Sequence, residues 1–312
     1  MNVLASRRAF ELDVQAPEHR WLVDGLWADQ AVGIVGGEPK VGKSLLALDV
    51  AVAVASGRPC LRRFAIMRQG RVLLFAAEDA LHVVRTRLEG IAKAAGTAFD
   101  TLDVHVITAP TVRLDVEADR QRLSETVRVL RPTLLVLDPF VRLHRIDENA
   151  SQYVAPLLAY LRQLQRRFEM AVLLVHHARK GGHVRPGQAL RGSSELHAWG
   201  DSNLYLRRQR DRLLLSIEHR AAPGREGLAL ELDVRDEHVA LRVLDEGLPP
   251  TRPALSVTER VEQALARAPH PLDRRALRAA CRMRMTTLLR TLSDLTAAGR
   301  VTESEGHFRL AR

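Results

Sequence analysis

Along the chain, short uninterrupted apolar runs alternate with longer stretches in which apolar residues return every three or four positions. The runs Ala31–Val35, Arg71–Ala77, Asp103–Ile107, Thr133–Leu137 and Met170–Val175 are too short for buried helices and rich in aliphatic side chains, so they predict buried strands. Between them, Leu45–Val54, Leu81–Ala95, Asp119–Leu130 and Tyr153–Phe168 carry helical spacing. Strands that alternate with helices predict an α/β fold with a mostly parallel central sheet. Further on, Arg212–Ile217, Leu228–Val234 and Val239–Val243 are three β-like runs separated by short turns, expected to extend the sheet in antiparallel fashion. The segment up to about Val23 carries no assignable pattern.

Asp245-Glu246-Gly247-Leu248-Pro249-Pro250-Thr251-Arg252-Pro253 breaks every periodicity and predicts a linker. The expected domains are residues 1–244, a linker over 245–255, and a small domain over 256–312. In the last, Ser256–Arg267, Leu272–Cys281 and Thr286–Ala298 are helical patterns, and Gly299–Leu310 alternates like a hairpin turning at Gly306. Three helices and a β-wing resemble a winged helix. As a DNA reader it would set its third helix in the major groove, with Arg282, Arg284 and Arg290 as contacts. Winged helices also dock proteins, and Asp294, Glu303 and Glu305 interrupt the basic face.

Composition narrows the class. The 312 residues suffice for two domains, and 46% hydrophobic with 27% charged residues is an ordinary globular balance. Neither a secretory signal nor a long uncharged apolar span is visible, so a cytoplasmic location without a membrane partner is expected. Cys60 and Cys281 lie far apart without metal-ligand spacing, which argues against a zinc site or a disulfide framework. The formal charge of +10 raises the expectation of nucleic-acid binding. Only Lys40, Lys43, Lys93 and Lys180 are lysines, and the rest of the positive charge is arginine, a bias that high-GC coding also produces.

The chemistry starts at Gly37-Glu38-Pro39-Lys40-Val41-Gly42-Lys43-Ser44, which fits GxxxxGK(S/T) between a predicted strand and a predicted helix. Glycines there let backbone N–H groups close around phosphate oxygens, and the helix N-terminus adds partial positive charge. The expected nucleotide cradle is Gly37 through Leu45, with Lys43 reaching the β and γ phosphates of ATP and Ser44 ligating Mg²⁺. Two later strands end in acids. Arg71–Ala77 runs into Glu78-Asp79, where Glu78 is the candidate for polarising the attacking water and a helix-capping role is the alternative for either acid. Thr133–Leu137 closes on Asp138, the arrangement in which an aspartate holds the Mg²⁺ shell. Met170–Val175 ends in His176-His177, of which only one can face the site, because neighbours on a strand point to opposite faces. In "HRWLVDGLW", Trp21 and Trp27 could cover the nucleotide or belong to the core.

In order, GGEPKVGKS, LLFAAED, LLVLD, LLVHHARK and LRGSS resemble the RecA-fold motors, specifically RepA-like hexameric replicative helicases, over about Trp21 to Leu244. The resemblance implies Glu78 as catalytic glutamate, Asp138 as Walker B acid and His177 as γ-phosphate sensor. It implies a homo-oligomeric ring, expected to be a hexamer, translocating on single-stranded DNA, with an arginine from the neighbouring subunit completing each ATP site. Arg220 in Ser216–Gly224 is the first choice for that arginine, and Arg207 and Arg208 are the runners-up. The alternative to a helicase of a plasmid or mobile element is an ATP-gated DNA-binding, regulatory or recombination accessory ATPase that unwinds nothing.

Between His177 and Ser193 lies a glycine-rich, cationic stretch with almost nothing apolar. In RecA-fold rings such loops project into the channel, which makes Arg179, Lys180, Arg185 and Arg191 the expected DNA contacts. The loop has no aromatic residue, so binding would be led by the phosphate backbone and sensitive to salt.

Overall fold

The structure is a computed structural model and describes residues 6–11, 20–177, 194–209, 212–235, 238–244, 257–268, 270–281, 283, 285–304 and 306–311. The chain divides into two compact units, Met1–Asp245 and Glu246–Arg312. The expected linker, residues 245–255, lies outside the described residues.

In the first unit the apolar runs become strands. After a short pair, β1 (Trp21–Val23) and β2 (Trp27–Ala28), come β3 (Val32–Gly37), α1 (Lys43–Ser56), β4 (Val72–Ala76), α2 (Leu81–Ala94), β5 (Val104–Val106), α3 (Glu117–Leu130), β6 (Leu134–Asp138), α4 (Ser151–Phe168) and β7 (Ala171–His177). There follow α5 (Ser194–Trp199), β8 (Ser202–Gln209), β9 (Arg212–His219), β10 (Arg225–Arg235) and β11 (His238–Val243). Nine strands form one sheet in the order β11-β10-β9-β8-β3-β7-β6-β4-β5. From β8 to β5 every pairing is parallel, and β9, β10 and β11 add the antiparallel extension. The α/β class expected from the alternation is therefore the fold observed.

Alternate residues of the central strands feed two separate cores. Val35, Leu74, Val136 and Val175 pack with α1 and α2. Ile34, Leu73, Leu137 and Leu174 pack with α3 and α4. A sheet covered on both faces needs apolar residues at every position, which is why these strands have no polar alternation. Among the described residues no helix is long and apolar enough to cross a membrane.

The second unit contains α6 (Val257–Arg267), β12 (Leu272–Asp273), α7 (Arg274–Cys281), α8 (Met285–Ala297), β13 (Val301–Ser304) and β14 (His307–Leu310). Its core gathers Val261, Leu265, Leu277, Leu288, Leu292, Leu295, Val301 and Phe308. The helix expected from Leu272 starts two residues later. Leu272 pairs instead with Phe308 of β14, and the Asp273 carboxylate accepts the Ala276 N–H at 2.7 Å, starting α7 with a side-chain cap.

Candidate nucleotide site

Backbone register brings the chemistry to one edge. Gly37 of β3 stands beside His177 of β7, and Ala76 of β4 stands beside Asp138 of β6. All four strands are parallel, so their carboxyl ends share an edge, the place where open α/β sheets hold ligands. Glu78 follows β4 by two residues on that edge.

Between β3 and α1 the chain makes the predicted loop. Gly37 has a φ of 155°, and a Cβ there would lie 2.3 Å from the Leu206 carbonyl oxygen and 3.0 Å from Val41 Cγ1. Gly42 has a φ of 97° and directly precedes α1, which no side chain caps. The first-turn amides of α1 are thereby left for an anion, as the phosphate-cradle reading requires. Helix α1 is buried along almost its whole length, so the cradle stands on a rigid base.

The side chains converge. Lys43 is buried, and its Nζ donates to the Glu38 carbonyl at 2.7 Å. Burial pushes the Lys43 ammonium down to about 8, against the opposing pull of Asp138 and Glu78. Burial likewise pushes the Asp138 carboxyl up to about 6; Asp79 and Glu78 add to this, while a hydrogen bond from the Ser44 hydroxyl and the charge of Lys43 oppose it. Lys43, Ser44, Glu78 and Asp138 are thus near enough to interact, although they come from three strand ends. Hydroxyl and carboxylate oxygens side by side suit a hard cation, so the donor set fits Mg²⁺ at Ser44 and Asp138.

Both acids after β4 are held by arginines. Arg142 Nε donates to Glu78 Oε1 at 2.8 Å, and Arg87 pairs with Asp79. The Arg142 contact carried no signal in the sequence, because Glu78 and Arg142 are 64 residues apart. Another unforeseen group lies behind Asp138. Phe140 is fully buried and meets the rings of His144 at 4.5 Å and His176 at 6.0 Å edge-on. His144 Nε2 is 3.2 Å from Glu148 Oε1. Burial would raise the Glu148 carboxyl, but the His144 bond and the charges of His176, His144 and His177 bring it below its ordinary value.

The two histidines separate as the strand period demands. His176 is buried among the side chains on the α3 and α4 face, and His177 is half-buried beside Gly37. The basic stretch with Arg179, Lys180, Arg185 and Arg191 lies outside the described residues.

The amino-terminal edge of the sheet holds a different set. Ser202 pairs with His219, so Arg220 falls on the edge away from Gly37 of its own chain. Arg220 Nη2 donates to the Ala198 carbonyl, and Nη1 lies 3.4 Å from Asp201 Oδ1. Arg207 and Arg208, by contrast, follow Leu206, the partner of Gly37, and both are exposed. The two tryptophans also belong to the amino-terminal edge. Trp27 is fully buried with its Nε1 3.4 Å from the Ala31 carbonyl, and Trp21 meets His219 edge-on at 4.8 Å. An aromatic cover for the nucleotide is therefore not what they provide, because the short β1–β2 hairpin packs them at the opposite end of the strands.

With this geometry in place, three likenesses bear on the chain. Residues 3–183 match the protein family described as an AAA domain. A DNA repair protein RadA from Listeria monocytogenes is 22% identical over 224 residues, covering 70% of this chain, and the chain spans only 42% of that relative's length. A solved structure described as an ATPase domain superposes with a TM-score of 0.53 at 14% identity, covering 69% of this chain and 86% of that one. At that identity the structural likeness speaks for the fold alone.

Proposed function

Because the chain belongs to the AAA domain family, we propose that it hydrolyses ATP at the carboxyl edge of its sheet and acts on DNA as a ring, the first reading being a RepA-like replicative helicase of a plasmid or mobile element. The observation that carries the proposal is the convergence of Lys43, Ser44, Glu78 and Asp138 on the uncapped start of α1.

Each residue has a task set by its position. The amides from Gly37 to Leu45 would wrap the phosphates, and Lys43 would leave the Glu38 carbonyl for the terminal phosphate. Ser44 and Asp138 would hold Mg²⁺, which when bound would supply neutralisation of phosphate charge. Glu78 would orient and deprotonate the water that attacks the γ-phosphorus, displacing ADP. His177, next to Gly37, would sense the γ-phosphate and pass its loss to Arg179, Lys180, Arg185 and Arg191 on the DNA. An arginine from the next subunit would complete the site, with Arg220 as first choice and Arg207 and Arg208 next; such a residue contributes about 10³–10⁵-fold in related NTPases. In the second unit, the winged-helix reading puts the exposed Arg290 of α8 toward DNA, with Arg282 and Arg284, which lie outside the described residues.

A second reading, an ATP-gated recombination or repair accessory that does not unwind, is favoured by the likeness to a DNA repair protein RadA. The two separate on a forked duplex with the full chain. ATP-dependent strand displacement supports the helicase; DNA-stimulated hydrolysis without displacement supports the accessory. Hydrolysis that survives both Lys43→Ala and Glu78→Gln would remove the basis of either.

A further inference from the structure

We propose that Arg142 is a positioning residue that restrains Glu78, so that water activation waits for the Arg142–Glu78 pair to open. The inference rests on the reading of Glu78 as the residue that takes the water's proton.

Arg142 reaches Glu78 from a firm support. It ends the 3-10 turn Phe140–Arg142, which begins two residues after Asp138. Phe140 fixes that turn by sitting fully buried against the rings of His144 and His176. The guanidinium is therefore presented by the same backbone that carries the Mg²⁺-binding acid. Its partner Glu78 lies just beyond the end of a neighbouring strand, β4, with Nε donating to Oε1 at 2.8 Å.

The chemical consequence follows from what a carboxylate must do. An oxygen that accepts an N–H from a guanidinium has a lone pair engaged. That oxygen is not free to align the attacking water until the contact is given up. The side chains are 62% and 42% exposed, so the pair is a light restraint and not a lock. Exposed ion pairs contribute about 0.2–1 kcal/mol, which corresponds to a factor of about 1.4–5 in rate if opening precedes the chemical step. Salt weakens such a pair, so it also loosens the restraint.

The test is steady-state ATP hydrolysis by the full chain without DNA, at saturating ATP and Mg²⁺, for wild type, Arg142→Gln and Arg142→Lys. Arg142→Gln is expected to raise kcat by about 1.4–5-fold with KM unchanged. Wild-type kcat is expected to climb toward the variant's value as salt is added, while Arg142→Gln stays flat and Arg142→Lys keeps the wild-type response. A merely structural role for Arg142 would not reproduce that salt dependence. A slower Arg142→Gln enzyme, or one with wild-type kcat and salt response, overturns the restraint. Glu78→Gln run alongside separates the two levels: if it is inactive while Arg142→Gln behaves as wild type, only the restraint fails; if it hydrolyses ATP normally, the reading of Glu78 and the restraint fall together.

Discussion

The two edges of the central sheet use charge in opposite ways. At the amino edge, Asp201 is fully engaged: it accepts the Val32 N–H at 3.3 Å, pairs with Arg162 and lies 3.4 Å from Arg220. Next to it Asn203 Oδ1 accepts the Ile34 N–H at 3.1 Å, and Ser202 Oγ accepts the Ala28 N–H at 3.0 Å. At the carboxyl edge Lys43 has a carbonyl for its partner, and the Lys43 and Asp138 side chains are both shifted toward their neutral forms by burial. One edge spends polar groups on holding the strands; the other holds a buried ammonium and a buried carboxyl that burial pushes toward their neutral forms. Buried groups with perturbed titration of this kind cluster at functional sites.

Substitutions can break that contrast. The largest effect is expected at the carboxyl edge, where Lys43→Ala and Glu78→Gln should each lower ATP turnover by about 10²–10⁴-fold, Glu78→Gln still binding ATP, with thermal unfolding little changed. If either variant unfolds instead, the edge is structural and the contrast is wrong. Arg220→Ala sharpens the same line. As a neighbour's arginine it should cost about 10³-fold in hydrolysis, while as an amino-edge tie it should cost about 0.5 kcal/mol in stability and nothing in turnover. Parallel measurements on Arg207→Ala and Arg208→Ala say which edge supplies the finger. Asp201→Ala is expected to destabilise by about 2 kcal/mol, read by denaturant unfolding, with kcat per folded molecule retained.

The smallest effect is the dependence on pH. Asp138 must be ionised to hold a cation, and with its carboxyl pushed up to about 6 that capacity is lost as pH falls through about 6. Lys43 must be protonated to neutralise phosphate, and with its ammonium pushed down to about 8 that charge is lost as pH rises through about 8. The profile of kcat/KM, which reports the free enzyme, should therefore be a bell with limbs near those values. Lys43→Arg should remove the alkaline limb because a guanidinium stays charged. An alkaline limb that persists in that variant would assign it elsewhere.

Much of this was legible in the residues themselves. The Gly37–Ser44 loop announces its geometry because only certain residues tolerate the backbone it needs, and positive φ at Gly42 bears this out. The strands were legible because a sheet covered on both faces excludes polar residues for several positions at a time. The pairing of Arg142 with Glu78 had no local signature, since neither residue's neighbours restrict it to a partner 64 positions away. The choice left open for Trp21 and Trp27 has the same origin: an aromatic side chain in an apolar stretch is expected to be buried, but not at a particular end of the sheet, and the structure decides for packing at the amino-terminal end.

What the sequence by itself determined is therefore what short-range sterics and periodic burial dictate: the alternating strands and helices between Ala31 and Val175, the GxxxxGKS loop, and acids closing Arg71–Ala77 and Thr133–Leu137, but neither the β1–β2 pair nor β8 beside β3. Only the tertiary structure decided that β3, β4, β6 and β7 align in parallel with Gly37 beside His177 and Ala76 beside Asp138, and that Arg142 stands on Glu78 while Arg220 is tied to Asp201. Register and long-range ion pairs come from the packing of whole faces, and the energy that selects them is shared among many residues distant along the chain.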